Sequence, residues 1–347
     1  MVQENKIYSK KPKNKKVLYI ILAIVLIIGT AVAGFLVFNK NKSTKDTTNN
    51  NQSSEQAPAE VAQTPPVDMV ADGSVTKDIA YASFSPAQKL DLYLPANGKS
   101  SYPVVVYIHG GAFLSGDKAS GMDMTTINQL VSHGYAVASI NYRLSSEAIY
   151  PAQINDAKTA VRWLKANAAQ YRLNAEKIAS WGGSAGGNLA SLLGTTADVA
   201  ALEGSDLGNA DKSSKVIASV DWFGPINFLT MDAQAQAQGF TINTNSASSP
   251  ESKLMGAPVQ TIPEQVATAN AMTYATADDA AFYIQNGTAD KNIPAQQSVD
   301  LYNTMLAVKG ADNVKYDSIQ GAGHGGAQFT QADNMAKIFT FLDKYLQ

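Results

Sequence analysis

The pattern of apolar and polar positions divides the chain into a short apolar run, a polar segment and a long region of alternating patterns. The run at residues 17–38 has no charged side chain, and its length is close to the roughly 20 residues that a membrane-spanning helix needs. Five lysines crowd just before it, and lysines before a span keep the N-terminus in the cytoplasm. The pattern predicts a basic cytoplasmic segment at 1–16 and a single-pass transmembrane anchor at 17–38, with the rest of the chain extracellular.

A cleaved signal peptide is the alternative for the same run. Ala31-Val32-Ala33 has the small-x-small pattern of a cleavage site, and cleavage would secrete the rest of the chain. The run continues to Phe38, which favours an uncleaved anchor. Residues 39–73 are rich in Asn, Ser, Thr, Gln and Pro, and such a segment buries too little apolar surface to offset its ordering entropy. We predict a disordered tether there, followed by a folded domain at 74–347.

Strand-like and helix-like patterns alternate from residue 74 onward. Lys89–Leu94 alternates with period two, which predicts a half-buried edge strand, and the mostly β-branched run Val104–Ile108 is typical of a strand covered on both faces. Apolar residues at helical spacing predict a helix at 152–170. Further strands are predicted at 135–140, 177–181, 216–222, 281–285 and 314–319, and further helices at 185–196, 295–309 and 330–346. This alternation indicates a mostly parallel sheet with helices on both faces.

One stretch, at residues 226–279, breaks the alternation. It is rich in Gln, Ala, Ser, Thr and Asn and shows no clear strand. A loop of this length inside a compact domain needs a function or helices of its own. We predict an irregular, partly helical insertion over the C-terminal edge of the sheet, where it shapes a substrate pocket. A surface excursion without substrate contact is the alternative.

Composition excludes several classes of function. Hydrophobic residues make up 45% of the chain, which is ordinary for a large packed core, and a formal net charge of -2 gives no electrostatic case for a nucleic-acid partner. The absence of cysteine excludes disulfides, thiolate metal sites and a cysteine nucleophile, and the presence of only three histidines argues against a histidine-rich metal site. We therefore expect no cofactor and no metal.

A glycine-rich motif marks the candidate nucleophile. Residues 182–187 read Gly-Gly-Ser-Ala-Gly-Gly, and they follow a predicted strand and open a predicted helix. A nucleophilic serine on such an elbow needs small neighbours, because the turn is strained and the hydroxyl must stay exposed. Glycine-rich turns also cradle phosphates, but these residues match neither Gly-x-Gly-x-x-Gly nor Gly-Lys-Ser. The motif predicts Ser184 as the nucleophile of a serine hydrolase.

The turn after the strand at 104–108 carries candidate oxyanion-stabilising groups. It reads His-Gly-Gly-Ala-Phe at 109–113, and glycines there let the backbone approach a ligand and aim N–H groups at it. Alone, paired glycines after a strand are more often just a turn, but here a nucleophile elbow follows downstream. We predict an oxyanion hole from Gly110, Gly111 or Ala112, completed by the N–H of Ala185.

Elimination among the three histidines gives the candidate base. His109 belongs to the oxyanion turn, where its ring is expected to brace the backbone, and His133 stands before a glycine at a predicted helix end. His324 lies in a glycine-rich loop between the last predicted strand and the last predicted helix. Hydrolases built on this kind of elbow have the chain order serine, acid, histidine, and only His324 satisfies it.

The acid that orients the histidine must follow a strand between these two positions. Asp290 follows the strand predicted at 281–285, whereas Asp278 and Asp279 precede it and so lie at the wrong edge. Asp221, near the end of an earlier predicted strand, is the alternative. We favour Asp290 and expect Asp221 to bond backbone in the turn that follows it.

These motifs resemble those of the esterase branch of the α/β-hydrolases, which includes hormone-sensitive-lipase-like enzymes and bacterial carbohydrate or feruloyl esterases. The resemblance runs from residue 89 to the C-terminus and rests on segments 90–95, 106–111, 141–144 and 183–187 and on the loops of the candidate acid and base. It implies an eight-stranded, mostly parallel sheet flanked by helices, with an insertion after the sixth strand. It also implies Ser184, Asp290 and His324 as a catalytic triad, and Arg143 and Asp156 as scaffold residues.

Two positions depart from the family pattern. Ala112 stands where many relatives carry a third glycine, and since alanine still offers an N–H, we expect a reshaped acyl side of the pocket. Ala280-Ala281-Phe282 replaces a frequent Pro-Pro-Phe, which affects only the entry to a strand.

Sequence and resemblance together predict an extracytoplasmic serine carboxylesterase that cleaves short-chain or carbohydrate-linked esters, of acetyl or feruloyl type, through an acyl-enzyme. Its expected partners are an ester substrate and, through the anchor, the membrane. Two alternatives remain. One is an exopeptidase or amidase on the same fold, which would need an acidic pair to bind a peptide's amino terminus. The other is a wall-associated binding module without enzymatic activity.

Overall fold

The computed structural model describes residues 73–347 except residue 198, and these residues fold around one eight-stranded sheet. The strands are β1 (Val75–Ala80), β2 (Lys89–Tyr93), β3 (Tyr102–Ile108), β4 (Ala136–Ile140), β5 (Leu173–Gly183), β6 (Ala218–Trp222), β7 (Ala281–Gly287) and β8 (Val314–Ile319). They are ordered β1-β2-β4-β3-β5-β6-β7-β8. Within this sheet β2 alone runs opposite to the other seven strands, which confirms the predicted eight-stranded, mostly parallel architecture.

The predicted basic segment, the anchor or signal peptide at 17–38 and all of the tether except residue 73 lie outside the described residues. Within the part of the chain that the structure describes, no helix is both long and apolar enough to span a bilayer. The anchor and the cellular location therefore stay predictions.

Helices cover both faces of the sheet. In the described region they are α1 (Gly121–His133), α2 (Ala152–Ala166), α3 (Ala185–Thr195), α4 (Met231–Ala237), α5 (Pro250–Met255), α6 (Pro263–Ala267), α7 (Ala295–Lys309), α8 (Ala327–Thr330) and α9 (Ala332–Leu346). Successive side chains of a strand point to opposite faces. Val104 and Val106 of β3 share a core with α2, α3 and α7, whereas Val105 and Tyr107 share one with α1 and α9.

The C-terminal helical region differs from its prediction. Instead of one helix at 330–346, two helices meet at Gln331, whose extended backbone (φ -62°, ψ 145°) ends α8 and precedes α9. The helix predicted at 152–170 stops at Ala166, and the Asn167 side chain donates back to the Trp163 carbonyl at 2.8 Å. The Asn167 backbone N–H donates to the same carbonyl at 3.0 Å, so this residue caps the helix end.

β2 is a buried inner strand, which corrects the half-buried edge strand predicted at 89–94. β1 pairs with it on one side and β4 on the other, and its polar residue Asp91 is fully buried. The Lys118 ammonium lies 2.8 Å from the Asp91 carboxylate, so an ion pair compensates the buried charge. The sequence pattern does not predict β1, because Lys77 and Asp78 interrupt its apolar alternation.

The segment between β6 and β7 forms the partly helical insertion that the sequence predicts. It contains α4, α5 and α6, with no strand over residues 223–280. Since β5 to β8 are parallel, the chain leaves all four strands at one edge of the sheet. In open α/β sheets that edge is where ligands bind.

Candidate active site

Ser184 stands at the sharp turn between β5 and α3. Its backbone angles (φ 57°, ψ -124°) are ones that a non-glycine residue rarely adopts. Its N–H donates to the Trp222 carbonyl at 2.9 Å, and its carbonyl accepts from the Asn188 N–H at 3.1 Å. Backbone strain of this kind costs roughly 1–3 kcal/mol and persists only where neighbouring structure holds it. Here β6 holds the turn from one side and α3 from the other.

Close backbone packing explains the glycines around the serine. A Cβ added to Gly182 would lie 2.2 Å from the carbonyl oxygen of Gly186. A Cβ added to Gly186 would lie 2.0 Å from the carbonyl oxygen of Ile108 at the end of β3. No side chain fits at these distances, so the Gly-x-Ser-x-Gly spacing follows from the elbow's contact with its own turn and with the next strand.

The structure brings Ser184, His324 and Asp290 together at this edge. His324 Nε2 lies 2.8 Å from Ser184 Oγ, and His324 Nδ1 lies 2.8 Å from Asp290 Oδ2. The Asp290 side chain is fully buried, whereas a fifth of the His324 side chain is exposed. A substrate or water can therefore reach the imidazole while its orienting carboxylate stays dry.

Backbone groups fix the orientation of the Asp290 carboxylate. Its Oδ1 accepts from the N–H groups of Asn292 at 2.8 Å and Ile293 at 3.0 Å, which leaves Oδ2 for the imidazole. The Phe223 ring packs against His324 with 4.8 Å between ring centroids. With Nδ1–H donated to the carboxylate, Nε2 is the free acceptor for the serine proton.

The predicted oxyanion-hole residues take different places around the elbow. Ala112 and Ala185 line the cavity at Ser184, whereas Gly110 packs beneath the elbow, where an added Cβ would lie 3.0 Å from a backbone oxygen. Gly111 and Ala112 both have left-handed backbones, with φ of 113° and 57°. The N–H groups of Gly111, Ala112 and Ala185 have no acceptor within residues 73–347 as described, so they are free to bind a developing oxyanion.

His109 braces this turn and does not reach the serine. Its Nδ1 lies 2.7 Å from the Gly110 carbonyl, and its ring stacks on Tyr142 with 4.5 Å between centroids. The Tyr142 hydroxyl donates to the His109 carbonyl at 3.0 Å. Burial lowers the pKa of His109 and favours the neutral ring.

His133 lies elsewhere, between α1 and α9. Its Nε2 is 3.1 Å from the Asp343 carboxylate, and its ring stacks on Phe339 with 4.1 Å between centroids. These contacts join two helices on one face of the sheet and leave this histidine out of the candidate site.

Asp221, the alternative acid, is buried in a different network. The Ser191 hydroxyl donates to its Oδ2 at 2.5 Å and the Gly224 N–H to its Oδ1 at 2.7 Å. Burial raises the pKa of Asp221 to about 6. Both oxygens are used beneath the elbow, and the structure gives neither of them a contact with His324.

Arg143 and Asp156 form a buried scaffold pair beside the oxyanion turn. Arg143 donates from Nη2 to Asp156 Oδ1 at 2.8 Å and from Nε to Oδ2 at 2.9 Å. The Gln88 amide donates to the same carboxylate at 2.7 Å. The pair ties the loops after β1 and β4 to α2, so its place is structural, as the resemblance implies.

A cavity of about 550 Å³ opens above the serine. Its apolar lining residues are Ala112, Phe113, Ala185, Pro225, Met231, Ile242, Pro250 and Ile293. Its polar lining residues besides Ser184 and His324, together called the polar wall below, are Asn243, Thr244, Ser246, Ser248, Ser249, Glu251, Lys291 and Asn292. Most of these residues belong to the insertion, so the insertion shapes the pocket.

The sequence predicts that the insertion shapes the pocket but does not predict which of its residues line it. The insertion has no helical or strand period over its full length. The pattern alone therefore does not predict which of its side chains point toward the pocket. One local signal was available: Ser249-Pro250-Glu251 has a capping serine followed by proline, which marks a helix start. The Ser249 hydroxyl indeed accepts from the Ser252 N–H at 3.1 Å as the cap of α5.

Comparison with known proteins finds a matching family and relatives that are named as esterases. The sequence profile of the family described as BD-FAE matches residues 90–305. The probable carboxylic ester hydrolase LipM of Mycobacterium tuberculosis is 29% identical over 226 residues, which are 64% of this chain and 49% of the relative. The chain spans about half the length of the curated relatives it matches.

Two solved structures share the fold over 80% of this chain. A bifunctional GH43-CE protein of Bacteroides eggerthii has a TM-score of 0.72 at 34% identity, with 36% of that chain covered. A truncated carbohydrate esterase from gut microbiota has a TM-score of 0.71 at 30% identity, with 99% of that chain covered.

Proposed function

This chain belongs to the BD-FAE family and folds as an α/β-hydrolase esterase, and on that premise we propose that it is a serine carboxylesterase with Ser184 as its nucleophile. The observation that carries the proposal is the hydrogen-bonded series from Ser184 through His324 to Asp290 at the floor of an open cavity. Each bond in the series has the length that proton transfer requires.

Acylation begins when Ser184 Oγ attacks the ester carbonyl carbon and its proton moves to His324 Nε2. Asp290 stabilises the imidazolium that forms and keeps its own charge. The N–H groups of Ala112 and Ala185 receive the negative oxygen of the tetrahedral intermediate. When the intermediate collapses, the carbon–oxygen bond to the alcohol breaks and the alcohol oxygen takes the proton from His324.

Deacylation repeats the same steps with water. His324 accepts a proton from a water molecule, whose oxygen attacks the acyl carbon on Ser184. Collapse then breaks the bond to Ser184 Oγ, which regains its proton from His324, and the carboxylic acid leaves.

We propose short acyl groups and carbohydrate-linked esters as the substrate class. The cavity is lined by apolar side chains together with hydroxyl, amide and carboxylate groups, a mixture that suits a short acyl group joined to a hydroxyl-bearing alcohol. The names of two structural relatives, a GH43-CE protein and a carbohydrate esterase, support the same class.

The location is proposed from the sequence alone. The lysines before residue 17 and the uncharged run at 17–38 support an anchor with the catalytic domain outside the cell. A carbohydrate ester in or near a cell wall would then be within reach.

An ester panel tests the proposed activity. Purified protein is offered 4-nitrophenyl esters from acetate to dodecanoate, an acetylated and a feruloylated sugar, and an aminoacyl 4-nitroanilide, with labelling by a fluorophosphonate probe in parallel. We expect probe labelling and the highest kcat/KM among acetyl and butyryl esters and sugar esters. A preference for C12 esters contradicts the substrate class, dominant anilide cleavage indicates an exopeptidase, and absence of both labelling and turnover indicates a binding module.

A further inference from the structure

The polar wall of the cavity contains a buried carboxylate that neither the proposed triad nor the oxyanion hole uses. Glu251 lies in the first turn of α5 and lines the same cavity as Ser184. The residue is 8% exposed, although carboxylates are rarely so buried unless they are paired.

Glu251 has no cationic partner among the residues that the structure describes. Burial raises its pKa, and the nearby Asp232 carboxylate adds to the rise. Its own backbone N–H and the Ser249 hydroxyl act in the opposite direction. The Ser249 hydroxyl has only one proton, however, and donates it to the Thr244 carbonyl at 2.5 Å. A carboxylate accepts up to about four hydrogen bonds, so Glu251 lines the cavity with acceptor capacity that the contacts described for residues 73–347 do not fill.

Most of the polar groups that line the cavity with Glu251 are neutral and hydrogen-bonding; the exception is Lys291, which forms no ion pair with Glu251 in the described part of the chain. The hydroxyls of Ser246 and Ser248 lie 2.8 Å from each other on the same wall, and Asn243 and Asn292 add amide groups. A ligand that fits such a wall carries many hydroxyl groups. Carboxylate oxygens accept from hydroxyl groups more strongly than neutral acceptors do.

We propose that Glu251 accepts hydrogen bonds from the hydroxyl groups of a sugar that forms the alcohol part of the substrate ester. The inference rests on the proposed esterase function and adds a specificity-determining residue to it. We assign the contact to the alcohol part of the ester because an acetyl group has no hydrogen-bond donor, whereas a sugar presents several O–H groups near the ester. Asn243, Ser246 and Ser248 would bind further hydroxyls along the same wall.

A structural role at the helix start is the competing explanation, and the chain contains a matched control for it. Pro250-Glu251 begins α5, and Pro263-Glu264 begins α6 in the same insertion. Both glutamates are acidic residues in a first turn, where they favour the helix dipole. Glu264 is exposed and does not line the cavity. Substituting each glutamate in a separate variant therefore distinguishes an effect on the helix start from an effect on substrate binding.

The test compares wild type, Glu251→Gln and Glu264→Gln on two acetate esters with different alcohols. One is a monoacetylated methyl xyloside, and the other is 4-nitrophenyl acetate, whose alcohol part has no hydroxyl beyond the ester oxygen. We expect Glu251→Gln to raise KM for the sugar ester about tenfold or more, with kcat/KM for 4-nitrophenyl acetate within about twofold of wild type. Glu264→Gln should match wild type on both substrates. Unacetylated methyl xyloside should inhibit 4-nitrophenyl acetate hydrolysis by wild type more strongly than hydrolysis by Glu251→Gln.

The other outcomes overturn the inference in distinguishable ways. Equal losses on both acetates would give Glu251 a structural role and leave the esterase proposal intact. An alanine ester with a free amino group and methyl ferulate are assayed with the same variants in parallel. A loss confined to the alanine ester would show that Glu251 binds a cation, and a loss confined to methyl ferulate would place the contact on the acyl side. If wild type turns over 4-nitrophenyl acetate but no sugar ester, the carbohydrate class proposed above fails together with this inference.

Discussion

Asp290 Oδ2 and His324 Nδ1 lie 2.8 Å apart, although 34 residues separate the two positions in the chain. Parallel β7 and β8 are neighbours, so the loops that follow them leave the sheet side by side. Asp221 lies near the end of β6 at the same edge of the sheet, but its two oxygens accept from the Ser191 hydroxyl and the Gly224 N–H. Only one of the two candidate acids is therefore available to orient the imidazole.

Asp290→Asn should lower kcat by about 10⁴, the loss that the same change produces in a serine protease, because the amide favours the wrong imidazole tautomer. The melting temperature should change little, since the amide oxygen can still accept from Asn292 and Ile293. Ester turnover and thermal melting of purified variants measure both effects. Asp221→Asn is the control and should keep near wild-type turnover. The opposite pattern would move the acid to Asp221.

Ser184→Ala should lower ester turnover by several orders of magnitude while the fold survives. The methyl group fits the space of the hydroxymethyl group, and oxyanion and binding contributions leave a residual rate of about 10³–10⁴ over water. Steady-state kinetics give the loss, and circular dichroism checks the fold. Turnover within tenfold of wild type would contradict the serine-hydrolase assignment.

Local steric and packing requirements made much of the fold predictable from sequence. β8 and α7 match their predicted bounds, and the elbow was identifiable because its glycines are required by contacts within the turn itself. β1 was not identifiable, because a charged edge strand gains its stability from pairing with β2 rather than from its own pattern.

The candidate site also has some features that the sequence predicts and others that it does not. The glycine-rich motif selects Ser184, chain order selects His324 and the position after a strand selects Asp290, and the structure joins these three residues by hydrogen bonds. The packing of Phe223 on the imidazole and the buried carboxylate of Glu251 depend on how an aperiodic insertion and its flanking turn fold back over the sheet. Such long-range contacts leave no periodic trace in a single sequence.

Protease treatment of intact cells that express the full chain should release a soluble, active domain. The predicted anchor at 17–38 holds the domain outside, and the predicted tether at 39–73 is the accessible cleavage region. N-terminal sequencing of the released protein should place the cut within that tether. An active protein that begins at Gly34 in untreated medium would instead establish the signal-peptide alternative.

The buried carboxylate of Asp221 should make the stability of the domain depend on pH. Burial raises its folded-state pKa to about 6, whereas its ordinary value is 3.8. Between these two values the folded protein holds the proton more firmly than the unfolded chain does. The contribution of Asp221 to stability is therefore greatest below about pH 4, falls as pH rises through this window, and is lost above about pH 6.

Asp221→Asn removes this dependence, because asparagine has no proton to lose. Its oxygen can still accept from Gly224, and its amide can donate to the Ser191 hydroxyl, so the network survives. A difference of about two pKa units corresponds to roughly 3 kcal/mol. The free energy of unfolding of the variant, relative to wild type, should therefore rise by up to about that amount between pH 4 and pH 7.5, as measured by urea denaturation. Subtracting the wild-type curve cancels the titration of all other groups. Parallel curves across this range would mean that Asp221 is already charged in the folded protein at pH 4.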